Sequence, residues 1–304
     1  VQMDGEAAHN RPDRPGGYLR RLAACIRFDE VCVLQGAPLL GALFAMREFA
    51  VPGLLTMAAL IAGNLCLVAH VFVVNDWAGI EGDNLDPNRA AWTFRARGVR
   101  RTEVAWLGIA LLVLALLLFS TVSATALAIA AAIVVLSALY SAPGIHGKGT
   151  PGLSSALHLA GGTLHFLLGY SAFASLSGQG IAIGCYFGIV FAAGHLTHEA
   201  RDYEGDLLNG IRTHAVAFGR RQAVLASLAL FTLAYALLTG LALCRVVPAP
   251  LALAVLLYPL HLFASLRAIR SGLDFGSLSR LQDCYRRIHA VIGLAMLVTA
   301  APWW

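Results

Sequence analysis

Residues 104–140 read VAWLGIALLVLALLLFSTVSATALAIAAAIVVLSALY, without one charged side chain. A helix that crosses a bilayer needs about 20 consecutive apolar residues. This stretch therefore holds two spans, 104–123 and 124–140, divided at Thr121–Ser123. Outward from that pair the same signature recurs at 31–46, 53–74, 152–173, 180–198, 222–243, 248–270 and 288–304. The expectation is an all-α polytopic membrane protein of about nine transmembrane helices. A polar, Pro- and Gly-containing segment at 1–17 reads as mobile, with no cleavable leader expected before the first span, and 18–304 as one domain.

Composition agrees. The 304 residues are 58% hydrophobic and 13% charged, with a mean hydropathy of +0.71; soluble domains carry about 25% charged residues. Of the 21 arginines and one lysine, 20 fall on the N-terminal segment or in loops after even-numbered spans, against Arg47 and Arg245 on the other face. Positive charge collects on the cytoplasmic side of membrane proteins, so the N-terminus and the long loops 75–103 and 199–221 are expected there. The net charge of +5 is then accounted for by orientation and by anionic lipid headgroups, with no nucleic-acid partner. The six cysteines, at 25, 32, 66, 185, 244 and 284, form no C-x-x-C pair and read as packing residues. Trp303 and Trp304 read as an interfacial anchor, and the glycine pairs Gly36/Gly41 and Gly161/Gly162 as close helix contacts. The two halves are alike enough to suggest a weak internal repeat of four-helix units.

Charge that remains is concentrated. Asn75-Asp76, Glu81, Asp83 and Asp86 follow the second span, and Glu199, Asp202, Glu204 and Asp206 follow the sixth; together they hold eight of the 17 acidic residues. Asn75, Gly79 and Asp83 share one helical face, as do Asp202 and Asp206. Both clusters belong to one side of the membrane and could meet across the mouth of a bundle. Facing carboxylates without His or Cys partners suit a hard cation, Mg²⁺ above all, shared with phosphates; the alternative is two solvated helix ends balanced by arginines. Lys148, the single lysine, is either a point charge for a phosphate oxygen or one more topological cation. His195 and His198 suggest cavity roles rather than a zinc site, and His158 and His165 either hydrogen-bond between helices or line a pocket.

These motifs carry a resemblance. Asn75-Asp76 with Asp83 resembles the first aspartate motif of the UbiA superfamily of intramembrane prenyltransferases. Asp202-x-x-x-Asp206, followed by Gly210, Thr213 and Gly219, is similar to its second, and Tyr140-Ser141-x-Pro143 with Lys148 to its loop after the fourth helix. Arg27, Pro38 and Gly41 fit its first helix loosely. The middle aspartate of the first motif is replaced by Gly79, the arginine after it by Ile80, and His146 stands where an arginine is common. The resemblance implies a bundle around a central cavity open to the cytoplasmic face and to lipid. It implies Mg²⁺ held by Asn75, Asp76, Asp83, Asp202 and Asp206, and a diphosphate held by Lys148, Arg212, Arg89 and Asn75. The catalytic set it implies is Asp76, Asp202, Lys148 and Tyr140. The reaction implied is ionisation of an isoprenoid diphosphate and transfer of the prenyl group to a small, aromatic acceptor. The alternative is a terpene cyclase that uses the same ionisation with no acceptor. A transporter would place its acids near mid-membrane, not at helix ends on one face.

Overall fold

The computed structural model describes residues 15–46, 51–142, 144–145 and 147–300. Most of the segment 1–17, together with Arg47, Pro143, His146, Trp303 and Trp304, lies outside them. The described residues fold as α1 (Pro15–Ala23), α2 (Phe28–Val33), α3 (Gly36–Ala45), α4 (Val51–Asp83), α5 (Arg101–Val122), α6 (Ala124–Ser141), α7 (Pro151–Tyr170), α8 (Gly178–Arg201), α9 (Tyr203–Leu208), α10 (His214–Phe218), α11 (Arg220–Leu243), α12 (Tyr258–Arg270) and α13 (Phe275–Ala300), with 3₁₀ turns between some of them and no strand. Among the described residues seven segments are long and apolar enough to cross a membrane: Phe28–Ala45, α4, α5, α6, α8, α11 and Ala249–Arg270. The other two expected spans are helical, as α7 and α13, but carry His158 and His165 or Arg280, Asp283, Arg286 and Arg287.

The expected division between the third and fourth spans falls at Ser123. Its hydroxyl accepts from the Ala126 backbone N–H at 3.0 Å, an N-cap that starts α6, and donates to the Ser171 carbonyl oxygen at 3.3 Å. Two boundaries differ from expectation. α4 continues to Asp83, so the first acidic cluster is helical except for Asp86, which follows the helix. At 1.5 Å per residue its 33 residues extend about 50 Å, well beyond a hydrocarbon core of about 30 Å. The last helix starts at Phe275 rather than near 288, because its charged first turns find partners: Arg286 with Glu30 at 3.3 Å, and Gln282 with Arg201 at 2.7 Å.

Without a hydrophobic drive between helices, close approach depends on small residues. α3 and α7 cross at Gly41 and Gly169. A Cβ on Gly41 would lie 2.0 Å from the Phe166 carbonyl oxygen, and one on Gly169 1.7 Å from that of Pro38. α7 and α8 cross at Gly162 and Gly188, where a Cβ would meet Phe191 Cβ at 2.6 Å or Thr163 Oγ1 at 2.3 Å. Gly36 and Gly161 border open space, so only one member of each expected glycine pair serves packing.

Candidate active site

The exit of α4 and the exit of α8 meet at one end of the bundle, and backbone constraints explain the residues between them. α8 ends at Arg201, and Asp202 caps both α8 and the short α9. Gly210 leaves α9 with φ +64°, and Gly219 joins α10 to α11 with φ +94°, the left-handed region where a side chain is costly. Thr213, fully buried, caps α10. Gly205 lies so close to Asp86 that a Cβ there would sit 2.4 Å from Asp86 Oδ2. Asn209 Nδ2 donates to the Gly82 and Gly205 carbonyl oxygens at 3.2 and 2.8 Å. Those two contacts clasp the acidic segments together.

Charge is neutralised across the join. The Arg89 guanidinium lies 3.1 Å from Asp83 Oδ1, 3.7 Å from Asp86 Oδ2 and in direct contact with Asp202 Oδ2. Arg201 Nε donates to Asp202 Oδ1 at 2.7 Å. Lys148 Nζ stands 3.0 Å from Asp206 Oδ1. Gly147 lets that loop pass the end of α6, since a Cβ would fall 2.1 Å from the Leu139 carbonyl oxygen, and the Lys148 N–H bonds Tyr140 O at 3.2 Å. Ser141 Oγ donates to Asn75 Oδ1 at 3.2 Å, and Arg27 reaches Asp76 Oδ1 at 3.4 Å while lying 4.7 Å over the Phe72 ring. Arg27 does so from φ +55°, a strained conformation for a non-glycine residue.

Burial opposes ionisation of Asp202, yet Arg89 and Arg201 outweigh it and hold its carboxyl at about 2. At Asp206 burial wins over Lys148 and, with the charge of Asp202, pushes the carboxyl up. Burial works against the charge of Arg89, but Asp202 and Asp83 hold its guanidinium more firmly protonated than usual.

Of the sequence-derived residues, Asp83 and Asp202 both contact Arg89, Lys148 and Asp206 form a pair beside them, and Asn75 and Asp76 lie about two turns before Asp83 along α4. Arg212 is exposed, between Gly210 and Thr213. Glu81 points away to Arg95 at 2.6 Å, and Glu204 pairs with Arg220. Tyr140 lies deeper, its ring edge-on to His158 at 5.0 Å. Arg201, Asn209 and Ser154 escaped the sequence reading: Asn209 and Ser154 act through residues that the chain folds back to meet, and Arg201 through its neighbour Asp202.

A helical membrane bundle with two carboxylate clusters joined by cations at one end defines the class of protein. The chain matches the UbiA prenyltransferase family over residues 36–274 and belongs to it. Its fold is similar to the apo UbiA homologue from Aeropyrum pernix K1, at 18% identity and TM-score 0.70 over 90% of this chain and 98% of that one. It is similar to the Archaeoglobus fulgidus homologue bound to GPP and Mg²⁺, at 17% and 0.68 over 91% and 99%. It is likewise similar to a digeranylgeranylglyceryl phosphate synthase structure, at 19% and 0.69 over 93% and 98%. At these identities the likeness is one of fold. No curated protein matches in sequence.

Proposed function

We propose that this chain is a magnesium-dependent intramembrane prenyltransferase that ionises an isoprenoid diphosphate and passes the prenyl group to a small aromatic acceptor. The observation that carries the reading is the convergence of Asp83, Asp86 and Asp202 on Arg89, with Lys148 on Asp206 beside them. Family membership and the fold shared with a homologue bound to GPP and Mg²⁺ support the donor class. In this reading nine helices, α7 and α13 included, surround a cavity open to the cytoplasmic face and to lipid. The N-terminus and site loops are cytoplasmic, as the arginine bias argues.

Asn75, Asp76, Asp83, Asp202 and Asp206 offer only oxygen ligands, which is the chemistry Mg²⁺ takes. Among the described residues no three His, Cys, Asp or Glu side chains converge as a metal site; Arg27, Arg89, Arg201 and Lys148 engage their oxygens. The ligands therefore exchange partners when the metal is held. Bound Mg²⁺ supplies Lewis-acid neutralisation of the diphosphate. Lys148 and Arg89, released from carboxylates, pair with the leaving group as its charge grows, and Arg212 approaches from the exposed side. Tyr140 presents its ring to the allylic cation, and the apolar walls exclude water that would capture it.

The test is diphosphate release from farnesyl and geranylgeranyl diphosphates by the purified protein, with and without Mg²⁺ and aromatic acceptors, beside Asp202→Asn. Mg²⁺-dependent release that Asp202→Asn abolishes is expected, with prenylated acceptor as product. Cyclised product in the absence of acceptor would replace transfer by cyclisation; release indifferent to Mg²⁺ and to Asp202 would overturn both.

A further inference from the structure

A second group of polar side chains, unused by the diphosphate site, lies deeper between α7 and α8. His158 of α7 and His195 of α8 stack with ring centroids 3.5 Å apart and planes within 8°. His158 Nδ1 is 2.8 Å from the Ser154 carbonyl oxygen one turn back. A carbonyl only accepts, so Nδ1 carries the proton and Nε2 keeps its lone pair. The Nε2 atoms of His165 and His198 are buried without partners; that of His158 is not among such sealed atoms, and it makes no hydrogen bond to a described residue. Tyr140, next in sequence to the Ser141 that holds Asn75, meets the His158 ring edge-on at 5.0 Å. A nitrogen with a free lone pair thus sits beside Tyr140, the residue that the prenyl-transfer reading sets against the cation.

A carboxylate lies behind the stack. His195 Nε2 is 2.9 Å from Glu199 Oε1. Glu199 is 4% exposed and also accepts from Ser154 Oγ at 3.0 Å, from the His214 backbone N–H at 2.9 Å and from His214 Nδ1 at 3.0 Å. A carboxylate so occupied is no free base. It fixes the tautomer of His195 and lends negative charge to an imidazolium stacked on that ring.

Resting on the prenyl-transfer reading, we propose that His158 is the base that takes the proton released after the prenyl cation reacts, with His195 and Glu199 as positioning residues. The donor's C1–O bond breaks and its electron pair leaves with the diphosphate. A π pair of the acceptor forms the new C–C bond. The C–H bond at the attacked carbon then breaks, its pair restores the π system, and the proton passes to Nε2 of His158. Without an acceptor, the same base removes a proton from the carbon beside the cation and leaves an olefin.

That acceptor-free branch gives the test. Geranyl diphosphate and Mg²⁺ are supplied to the protein in liposomes, and diphosphate release is measured beside the ratio of olefin to alcohol. In His158→Gln the share of olefin among the products formed is expected to fall about tenfold or more, as loss of a positioned base requires. Imidazole added to His158→Ala is expected to restore olefin, and Glu199→Gln to fall between wild type and His158→Gln. An unchanged ratio in His158→Gln, alcohol alone from wild type, or olefin and diphosphate falling in step would each overturn the assignment. No diphosphate release by wild type would overturn the prenyl-transfer reading itself, and the base with it.

Discussion

Replacing Arg89 by Met should strengthen Mg²⁺ binding while slowing turnover. The guanidinium contacts three carboxylates, on Asp83, Asp86 and Asp202, and must surrender them before a metal can use them. Asp202 is held at about 2 against an ordinary 3.8, a preference for the charged form of about 2 kcal/mol at ~1.4 kcal/mol per unit. Burial opposes that preference; Arg89 is its largest favourable source and Arg201 shares it. Roughly 1 kcal/mol is therefore lost when the metal displaces Arg89 from Asp202, and about as much again from Asp83 and Asp86 together, screened by solvent. Without Arg89 that cost is absent, so Mg²⁺ affinity without substrate is expected to rise about five- to thirtyfold. Diphosphate release at saturating Mg²⁺ is expected to fall about a hundredfold, as one cation is lost from the leaving group. Titration calorimetry in detergent reads the first quantity and a diphosphate assay the second. Unchanged or weaker Mg²⁺ binding in the variant would show that Arg89 does not compete with the metal.

Lys148→Met leaves Asp206 buried without its cation, so its carboxyl, already raised, rises further. The acid-side loss of Mg²⁺ binding should then move to higher pH, because the protonated acid is no ligand; a limb that stays in place would separate Asp206 from the metal. Gly169→Ala directs a Cβ at the Pro38 carbonyl oxygen, 1.7 Å away, where backbone cannot yield locally. The expected loss is about 3 kcal/mol or more of stability, read as a lowered unfolding temperature in detergent, whereas Gly161→Ala, in open space, should be neutral. Gly205→Ala pushes on Asp86 Oδ2 and, through it, on Arg89. Its effect should fall on Mg²⁺ and donor affinity more than on melting temperature, and the reverse pattern would make the contact purely structural.

How much of this was legible in the sequence depends on the range of each interaction. Apolar runs declare themselves locally, and so does the break at Ser123, whose hydroxyl serves its own helix three residues on. The acidic clusters were legible because charge is rare in this chain. α4 and α13 outran their expected limits because hydropathy marks where lipid ends, and a helix can continue into water on its own hydrogen bonds. The turn at Leu34–Gln35 that separates α2 from α3 left no Pro or Gly–Gly signal; Gln35 there accepts from Asn64 Nδ2, at 2.9 Å on α4. The 3₁₀ stretch Ala249–Leu257 read simply as the start of a span. Arg27 and Asn209 belong to the site through partners 49 and 127 residues away, and Arg201, which pairs with its neighbour Asp202, is braced by Gln282, 81 residues on. Only the fold could reveal those pairings.

Gly79 takes on a physical meaning in this arrangement. Five carboxylates at the site, Asp76, Asp83, Asp86, Asp202 and Asp206, face four cations, Arg27, Arg89, Arg201 and Lys148, all within ion-pair distance of a partner. The unmetallated site is therefore within one charge of neutral. A Cβ on Gly79 would meet only Asp83 Oδ2, at 3.6 Å, so the position has room for a side chain, and an aspartate there would set a sixth carboxylate against another acid with no cation to spare. Like charges in a partly buried site cost stability unless a counter-ion is bound. With glycine at this position, the side chains can close the site on themselves while metal is absent. The same economy makes Arg89 the hinge of the site, since metal and donor must draw it away from the carboxylates that now hold it.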